Sequence, residues 1–600
     1  MDSYKNSIFE PLEYYRDHAK ADHKQNVSEH FDLLVKKSGI DIQKNKETVS
    51  QYRAKKKEIE LLNKKLTNRK IIRVASIVIS VIILILSFIL SSGSSSNSAE
   101  ILFPIFALFL GASIIFLTFT LTKKSIKTLK KNIEEKEKEA YLLRREAEAQ
   151  TAPLCELFSD VDTLRLIEKT LPQVKFDSQF LFENLEDLKN NYGFNNLAGQ
   201  KSSALDTLSG RLYNNPFLFE RCKNEGIFSQ TYTGTLVIRW TEYGRDSKGR
   251  TVRKTRYQTL VASVVKPKPI YNVTTLLSYG SQAAPDLTFA RENKHFEDLS
   301  EKEVERTVKK GEKKLKKKAD KALSKGENFT EMSNTKFDVL FDATNRDNEQ
   351  QFRLLFTPLA QREMIDLIRS EEGYGDDFDF FKRRKINVIR SEHSQSWNMS
   401  TSASRYYSFD FEEIKKNFED INAEYFKSVY FDFAPLIAIP AYQDPPTSTF
   451  EDTPRDEISY TEYNYEAIAN KMGAVNFSHQ RTATDVILKS EFISRDNGFD
   501  TVAITAYSYS ANNRIDHIPT LGGDGKMHLV PVPWIEYLPL QKTSLITIKG
   551  IGLTEDEYLE KIKSREELKA PKNAVCYKGL FGFFGAATKS TNKFIENITK

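Results

Sequence analysis

Cysteine is scarce in this chain, which has three cysteines among 600 residues. Three thiols cannot form a disulfide framework, and Cys155, Cys222 and Cys576 provide no CxxC spacing for a metal or redox site. Such low usage is typical of proteins in a reducing compartment. Glycine and proline are moderate, at 25 and 19 residues, which excludes collagen-like and low-complexity classes.

Motifs of known chemistry are missing as well. The sequence has no G-x-S-x-G, H-E-x-x-H, kinase or dinucleotide signature. Its one glycine-rich loop, residues 522–525, leads into the strand-like segment MHLVPVPW, so we expect a hairpin turn and not a phosphate loop. His393 and His517 each follow a carboxylate residue directly, but adjacent residues rarely orient one another for proton transfer. We expect no cofactor and no metal, although an active site assembled from distant residues is left open.

An acidic loop is the strongest candidate for a cation site. It carries five carboxylates: Glu371, Glu372, Asp376, Asp377 and Asp379. A hard cation prefers several oxygen ligands, but this loop lacks the spacing of a calcium loop and the bases KRRK follow at 382–385. We therefore expect a solvated loop.

Two long segments contain no charge at all, residues 74–90 and 101–122. About 20 apolar residues cross a bilayer, so these segments predict a transmembrane hairpin. Nine bases at 53–73 and five at 123–131 flank the pair, whereas the serine-rich loop between the spans has none. The positive-inside rule then places both termini in the cytoplasm, and the prediction is a multi-pass cell-membrane protein with two spans.

The basic flanks show a helical register of their own. Apolar residues fall on a and d positions before the first span at Ile42, Val49, Tyr52, Ile59 and Leu66, and after the second at Ile126, Leu129, Ile133, Ala140 and Leu143. We expect the two helices to form an antiparallel coiled-coil stalk that supports self-association. Two independent or differently packed helices are the alternative.

The remaining residues, from 151 onward, mix helical and strand-like segments. Thr233–Tyr243 and Thr251–Val265 predict a long hairpin, and Ile270–Tyr279 predicts a third strand after the break at KPKP. Lys336–Asp342 is interpreted as a strand, and a helix is expected to open at Thr357. Runs of strands and helices without regular alternation favour a cytoplasmic α+β region with antiparallel sheet.

These patterns divide the chain into predicted segments. In order they are an N-terminal helical segment 1–41, stalk helix 42–70, span 71–91, outer loop 92–100, span 101–122, stalk helix 123–150, helical segment 151–228, hairpin region 229–300, basic helix with α+β domain 301–434, proline-rich loop 435–456 and β-rich C-terminal domain 457–600. A capping box at Thr554 and Glu557 predicts a helix beginning at Glu555.

Two basic clusters are the candidate binding sites, on a chain whose net charge is only +6. The hairpin 239–256 carries a net +5 and the helix 302–325 a net +7. The candidate residues for a membrane surface or an anionic partner are Arg239, Arg245, Lys248, Arg250, Arg253, Lys313, Lys314, Lys316, Lys317 and Lys318. The alternatives are solvated basic surfaces, or nucleic acid stacked on Trp240, Tyr243 and Tyr257, which we consider the weaker interpretation.

Two segments carry a resemblance. RDNEQQFRLLFTPLAQ at 346–361 and TLVIRWTEYGRDSKGRTVRKTRYQTL at 235–260 resemble uncharacterised two-span membrane proteins of low-GC bacteria, such as lactobacilli and mycoplasmas. The resemblance covers under a tenth of the chain. It implies a bacterial inner-membrane protein and assigns no site residues.

The function expected from these features is interaction. We expect a membrane-anchored cytoplasmic scaffold or sensor that binds the bilayer and a protein partner. The alternatives are a membrane-tethered enzyme acting on lipid, envelope precursor or nucleic acid, or a subunit of an oligomeric transport complex. A cleft with converging acids and a histidine in the 330–550 region would favour the enzyme.

Overall fold

A computed structural model describes most of the chain. The described residues are 7–91, 98–177, 182–194, 201–245, 250–444, 460–553, 558, 561–562, 570–571 and 573–599. Most side chains between residues 84 and 121 lie outside the description. The chain divides into two compact units. Unit 1 comprises Met1–Asn26, Asp160–Ser402 and Asn422–Lys600, and unit 2 comprises Val27–Ser159 and Ala403–Ile421.

Helices occur throughout the chain. In chain order they are α1 (Pro11–Tyr14), followed by a π-helical turn (Tyr15–Ala19), α2 (Lys20–Ser38), α3 (Ile42–Ser91), α4 (Ser98–Cys155), α5 (Asp162–Thr170), α6 (Phe182–Tyr192), α7 (Glu301–Lys325), α8 (Thr335–Phe341), α9 (Glu349–Leu355), α10 (Pro358–Arg369), α11 (Glu392–Ser396), α12 (Phe411–Ile437), α13 (Glu462–Lys471) and α14 (Lys589–Thr599). Short 3₁₀ turns lie at Phe296–Asp298, Ala403–Tyr406, Pro440–Tyr442 and Ala474–Phe477.

Two antiparallel sheets form the framework of unit 1, in agreement with the α+β organisation and antiparallel pairing expected from the sequence. The strands are β1 (Val174–Phe176), β2 (Ser202–Leu212), β3 (Asn215–Arg245), β4 (Thr251–Gly280), β5 (Thr288–Arg291), β6 (Phe378–Arg383), β7 (Ile386–Ser391), β8 (Ile487–Asp496), β9 (Phe499–Leu521), β10 (Met527–Gly550), β11 (Val575–Tyr577) and β12 (Leu580–Phe584). The first sheet has the order β1-β2-β3-β4-β7-β6-β5 and the second β11-β12-β10-β9-β8.

Both sheets bury apolar cores against helices of unit 1. In the first sheet, phenylalanines of α8, α9 and β5 pack together: Phe289 contacts Phe341 and Phe352, and Phe337 contacts the same two rings. In the second, α13 places Ile468 against the strands. Aromatic pairs of this kind add to the free energy gained from burying apolar area. The cores hold the bases of two very long hairpins, β3–β4 and β9–β10.

Unit 2 contains the paired helices α3 and α4. Its seam buries Ile59, Leu66, Ile133 and Ala140, which are a and d residues of the predicted register. Ion pairs cross the seam between Lys55 and Glu139 at 2.9 Å and between Lys136 and Glu58 at 3.2 Å. Helix pairing therefore follows the heptad pattern along these basic flanks.

The predicted membrane topology is wrong for the part of the chain that the structure describes, because no helix there is both long enough and apolar enough to cross a membrane. A crossing requires about 20 consecutive apolar residues, and the described side chains of α3 and α4 do not supply that length. This finding overturns the transmembrane hairpin at 71–91 and 101–122, the cell-membrane localisation and the integral bilayer partner. Residues 92–97 of the predicted outer loop lie outside the described residues.

Four further predictions about local structure are corrected or untested. The segment predicted as a strand at 336–342 is helix α8, which Asn334 caps by accepting a hydrogen bond from the Phe337 N–H at 3.2 Å. The predicted third strand is the continuation of β4 through KPKP. The helix expected at Glu555 and most of the proline-rich loop lie outside the described residues.

Candidate functional site: a basic β-arm

The β3–β4 hairpin extends far beyond the core of unit 1. Its register runs without interruption from Phe217 opposite Tyr279 to Arg245 opposite Thr251. β2 pairs with β3 only as far as Asn224, so about 20 residues of each strand continue past the rest of the sheet. At about 3.3 Å per residue this portion is about 65 Å long.

The β9–β10 hairpin packs face to face on this extension. The contact is an apolar cluster formed by the even-numbered side chains of both hairpins: Tyr232, Leu236, Ile238, Trp240, Leu260, Ala262, Val264, Ile518, Val530 and Val532. We call this four-stranded portion the β-arm. It comprises residues 227–245 of β3, residues 250–269 at and after the start of β4, and residues 510–538, which contain parts of β9 and β10 and the turn between them. Because the inner faces cover one another, the β-arm buries an apolar core of its own.

Polar contacts fix the two hairpins against each other. The Lys266 ammonium lies 2.7 Å from an Asp516 carboxylate oxygen and 4.2 Å from the Trp534 ring centroid. The Trp534 indole N–H donates to the same carboxylate at 2.8 Å. Hydrogen bonds from Lys266 and then Trp534 lower the pKa of Asp516. Near the tip, the Gly523 N–H donates to the Gln258 side chain at 2.6 Å.

The outer face of the β3–β4 hairpin collects the predicted arginines. Arg239, Arg245 and Arg253 are exposed, and they share that face with Tyr243 and Tyr257, which are 73% and 65% exposed. The Arg239 guanidinium lies 5.9 Å from the Tyr257 ring centroid. An arginine over an aromatic ring is held in place by cation–π attraction while its N–H groups stay available. Arginine and tyrosine side chains are therefore presented together.

On the inner face near the tip, a carboxylate pairs with the basic and aromatic side chains. The Trp240 indole N–H and the Arg256 guanidinium each donate to the Glu242 carboxylate at 3.0 Å. The bond from Arg256, followed by that from Trp240, lowers the pKa of Glu242. Arg250 is exposed at the end of the arm, and Lys248 lies outside the described residues.

The second predicted basic cluster lies on α7, and all five of its lysines are exposed: Lys313, Lys314, Lys316, Lys317 and Lys318. Lys318 also donates to the Thr344 carbonyl and lies 4.5 Å from the Phe329 ring centroid. Burial lowers the pKa of Lys318. The helix packs on unit 1 through the predicted stripe of Val304, Leu315 and Ala322, so it offers a solvated row of charge with no aromatic side chains in it.

The acidic loop is only partly solvated, whereas the sequence predicts a solvated loop: Glu371 is exposed, but Asp376, Asp377 and Asp379 are buried. Asp376 and Arg291 are both fully buried and form an ion pair, and the Asp376 carboxylate also accepts backbone N–H groups of Lys294 at 2.9 Å and Phe296 at 3.2 Å. Burial lowers the pKa of Arg291 to about 9. Asp379 is buried beside Arg390. Asp376 and Asp379 therefore pair with arginines, and Asp376 also accepts backbone amides, so both carboxylates stabilise the fold.

His393 is buried among the same acids, and both of its ring nitrogens are engaged. Nδ1 lies 2.5 Å from Asp377, and Nε2 lies 3.2 Å from the Ser428 carbonyl oxygen and 3.7 Å from Asp432. The ring stacks on Tyr374 at 3.8 Å. Burial opposes its charge, but Asp432 and Asp377 outweigh that cost and raise the pKa of His393. A general base needs a ring nitrogen directed at substrate, and this histidine has none to offer.

A polar groove of about 410 Å³ lies next to this cluster. It is lined by Asn272, Thr274, Glu292, Asn293, Asp379, Arg390, Glu392 and Gln395, among others. Asn293 donates to Glu392 at 2.9 Å, and Asp379 accepts from Arg390 at 2.6 Å, so the lining is internally paired. Over the described ranges, no group of three or more histidine, cysteine, aspartate or glutamate side chains could hold a metal ion.

Two buried titratable groups could not be found from the sequence. The Lys382 amine donates to the Ala283 carbonyl at 3.1 Å and the Asn387 side chain at 3.4 Å, and burial lowers its pKa to about 7. The Glu220 carboxylate lies beside Tyr463, and burial raises its pKa to about 7. Each lies within a strand of otherwise ordinary composition, so no local signal marks it.

Comparisons with protein-family models, with curated proteins and with solved structures find nothing that matches the chain.

Proposed function

We propose that this chain is an interaction protein whose β-arm binds an acidic segment of a partner protein. The observation that carries the proposal is the grouping of Arg239, Arg245, Arg253, Tyr243 and Tyr257 on one exposed face. Tyrosine and arginine are among the residues enriched at protein interfaces and at their hot spots. The arm's inner faces already stabilise it, so this outer face is available for binding.

The apolar part of the same face favours a protein over nucleic acid. Val237, Val261 and Val265 continue the surface towards the core and are 65%, 56% and 62% exposed. A phosphate backbone draws its affinity from cations and gains nothing from exposed valines. A polypeptide with acidic and apolar side chains complements both halves of the face.

Charge reversal with a matched control tests the proposal. We expect the double variant Arg239→Glu/Arg253→Glu of the full chain to bind a fluorescein-labelled glutamate-rich peptide at least tenfold more weakly than wild type. Lys313→Glu/Lys314→Glu on α7 makes the same change in charge and should alter affinity less than twofold. Equal losses in both variants, or tighter binding of duplex DNA than of the peptide, would contradict the proposal.

A further inference from the structure

The β-arm has four free strand edges within the described residues. β3 has no neighbouring strand on its outer side after Glu225, and β4 has none on its other side before Leu277. In the second hairpin, β9 has no neighbouring strand beyond Tyr507, and β10 has none before Leu545. An exposed edge presents unpaired backbone groups and invites another chain to add a strand.

Prolines remove N–H donors from three of these edges, whereas the β3 edge keeps all of its donors. β4 carries Pro267 and Pro269, β9 carries Pro519, and β10 carries Pro531, Pro533 and Pro539. A proline removes one N–H donor from the edge. β3 has no proline between Gly226 and Arg245, and its first twelve residues after Gly226 also lack charge.

The register shows which groups of β3 face outward. Pro267 and Pro269 lie opposite Ser229 and Ile227. Because proline has no N–H to donate, these must be non-hydrogen-bonded pairs. In such a pair the backbone N–H and C=O groups of both residues point away from the partner strand. The Glu225 N–H confirms that the odd-numbered residues of β3 face outward, since it donates to the Lys201 carbonyl at 2.8 Å on the outer side. Every odd-numbered residue from 227 to 245 therefore directs its N–H and C=O groups to the free edge.

We propose that the β3 edge of the β-arm accepts an extended acidic segment of the partner as an added strand. This inference rests on the function proposed above and names its binding mode. Backbone hydrogen bonds along residues 227–237 supply affinity without requiring a particular sequence, as in other strand-addition complexes. Specificity comes from the basic end, where Arg239 and Arg245 lie beside the added strand and pair with its carboxylates.

The test uses two residues that face each other. Thr233 on β3 and Ser263 on β4 are directly opposite, with hydroxyl oxygens 3.0 Å apart, and both point their N–H groups outward. Thr233→Pro removes a donor from the β3 edge, whereas Ser263→Pro removes one from the β4 edge. The probe is a fluorescein-labelled 12-residue peptide of alternating valine and glutamate, titrated against the full chain. We expect at least tenfold weaker binding for Thr233→Pro and a change below twofold for Ser263→Pro.

Hydrogen exchange provides a second readout that does not depend on variants. In the free protein, the amides of Thr231, Thr233 and Thr235 should exchange fast, and those of Tyr232 and Gly234 slowly. Peptide binding should protect the odd-numbered amides. Binding that leaves them fast and tolerates both proline variants would overturn strand addition while the acidic-partner function stands. If the peptide fails to bind at all, both proposals fail. If the odd amides become protected with rising protein concentration alone, the edge pairs with a second copy and the inference is wrong.

Discussion

Gly234 of β3 lies directly against Pro531 of β10, so closely that a Cβ atom on Gly234 would stand 2.0 Å from the Pro531 carbonyl oxygen. No side chain fits in that space, and the neighbouring atoms are backbone that cannot move aside cheaply. This contact lets the two hairpins approach closely enough for their inner side chains to pack. Gly234 is therefore required for close packing of the β-arm and not for an unusual backbone conformation.

The first prediction concerns this glycine. Gly234→Ala should force the hairpins apart and cost about 1–3 kcal/mol in the stability of the arm. The measurement is hydrogen exchange of the 227–245 amides together with urea unfolding. Gly244→Ala is the matched control, because a Cβ there meets nothing within 4 Å. Equal protection in the two variants would contradict the packing that we describe.

The second prediction follows from Lys382. Its pKa falls from 10.5 in an unfolded chain to about 7 in the folded one. Between these values the unfolded chain binds more protons, so Lys382 makes stability rise with pH from about 7 to 10.5. We expect Lys382→Met to lose this slope and to be more stable at pH 7, by at most about 5 kcal/mol. Urea unfolding at several pH values checks this. A variant that keeps the wild-type slope, or an exposed Lys302→Met control that loses it, would contradict the account.

The third prediction has the opposite sign and concerns Glu220. Burial raises its pKa from 4.5 to about 7, so the folded chain binds more protons between these values. The contribution of Glu220 to stability is therefore full below about pH 4.5 and is lost as pH rises towards 7. Glu220→Gln should remove this dependence and stabilise the protein at pH 8 by up to about 3 kcal/mol. Thermal unfolding from pH 4 to 8 measures it, with exposed Glu491→Gln as the control. A Glu220→Gln variant that is less stable than wild type at pH 8 would refute the prediction.

The fourth prediction concerns the buried pair of Arg291 and Asp376. Replacing Arg291 with Met leaves a buried carboxylate without its counter-ion, and breaking such a pair typically costs about 3–5 kcal/mol. The double variant Arg291→Met/Asp376→Asn should recover much of that loss, because asparagine is neutral and still accepts the Lys294 and Phe296 amides. Urea unfolding of the single and double variants decides the matter. A single variant as stable as the double would show that the pair is not buried as described.

Much of the β-arm can be predicted from the sequence, and the part that cannot be predicted has a clear physical cause. Alternating residues predict the hairpin of Thr233–Tyr243 with Thr251–Val265, and the strands pair in that way. The KPKP segment predicts a break in the strand, yet Pro267 and Pro269 face a free edge where no donor is needed. The sequence shows prolines but not the edge they face, since that depends on which strands pair elsewhere.

The rest of the site depends on contacts between distant residues. The acidic loop resembles a solvated loop locally, and only the approach of Arg291, 85 residues away, buries Asp376. The segment 336–342 is too short for periodicity to separate a strand from a buried helix, and the cap at Asn334 decides for the helix. The length of two uncharged runs and the basic residues beside them predict membrane spans, and the described helices do not bear these out.

The central claim, that the β-arm is the surface for an acidic partner, is tested most directly by mapping where such a partner binds. A valine–glutamate peptide with a central benzoylphenylalanine should be photo-crosslinked to the full chain, and the adducts located by mass spectrometry. The account predicts adducts within residues 227–245 and 250–269, which disappear in Arg239→Glu/Arg253→Glu. Adducts concentrated on α7, or spread over the chain and unaffected by that variant, would contradict it.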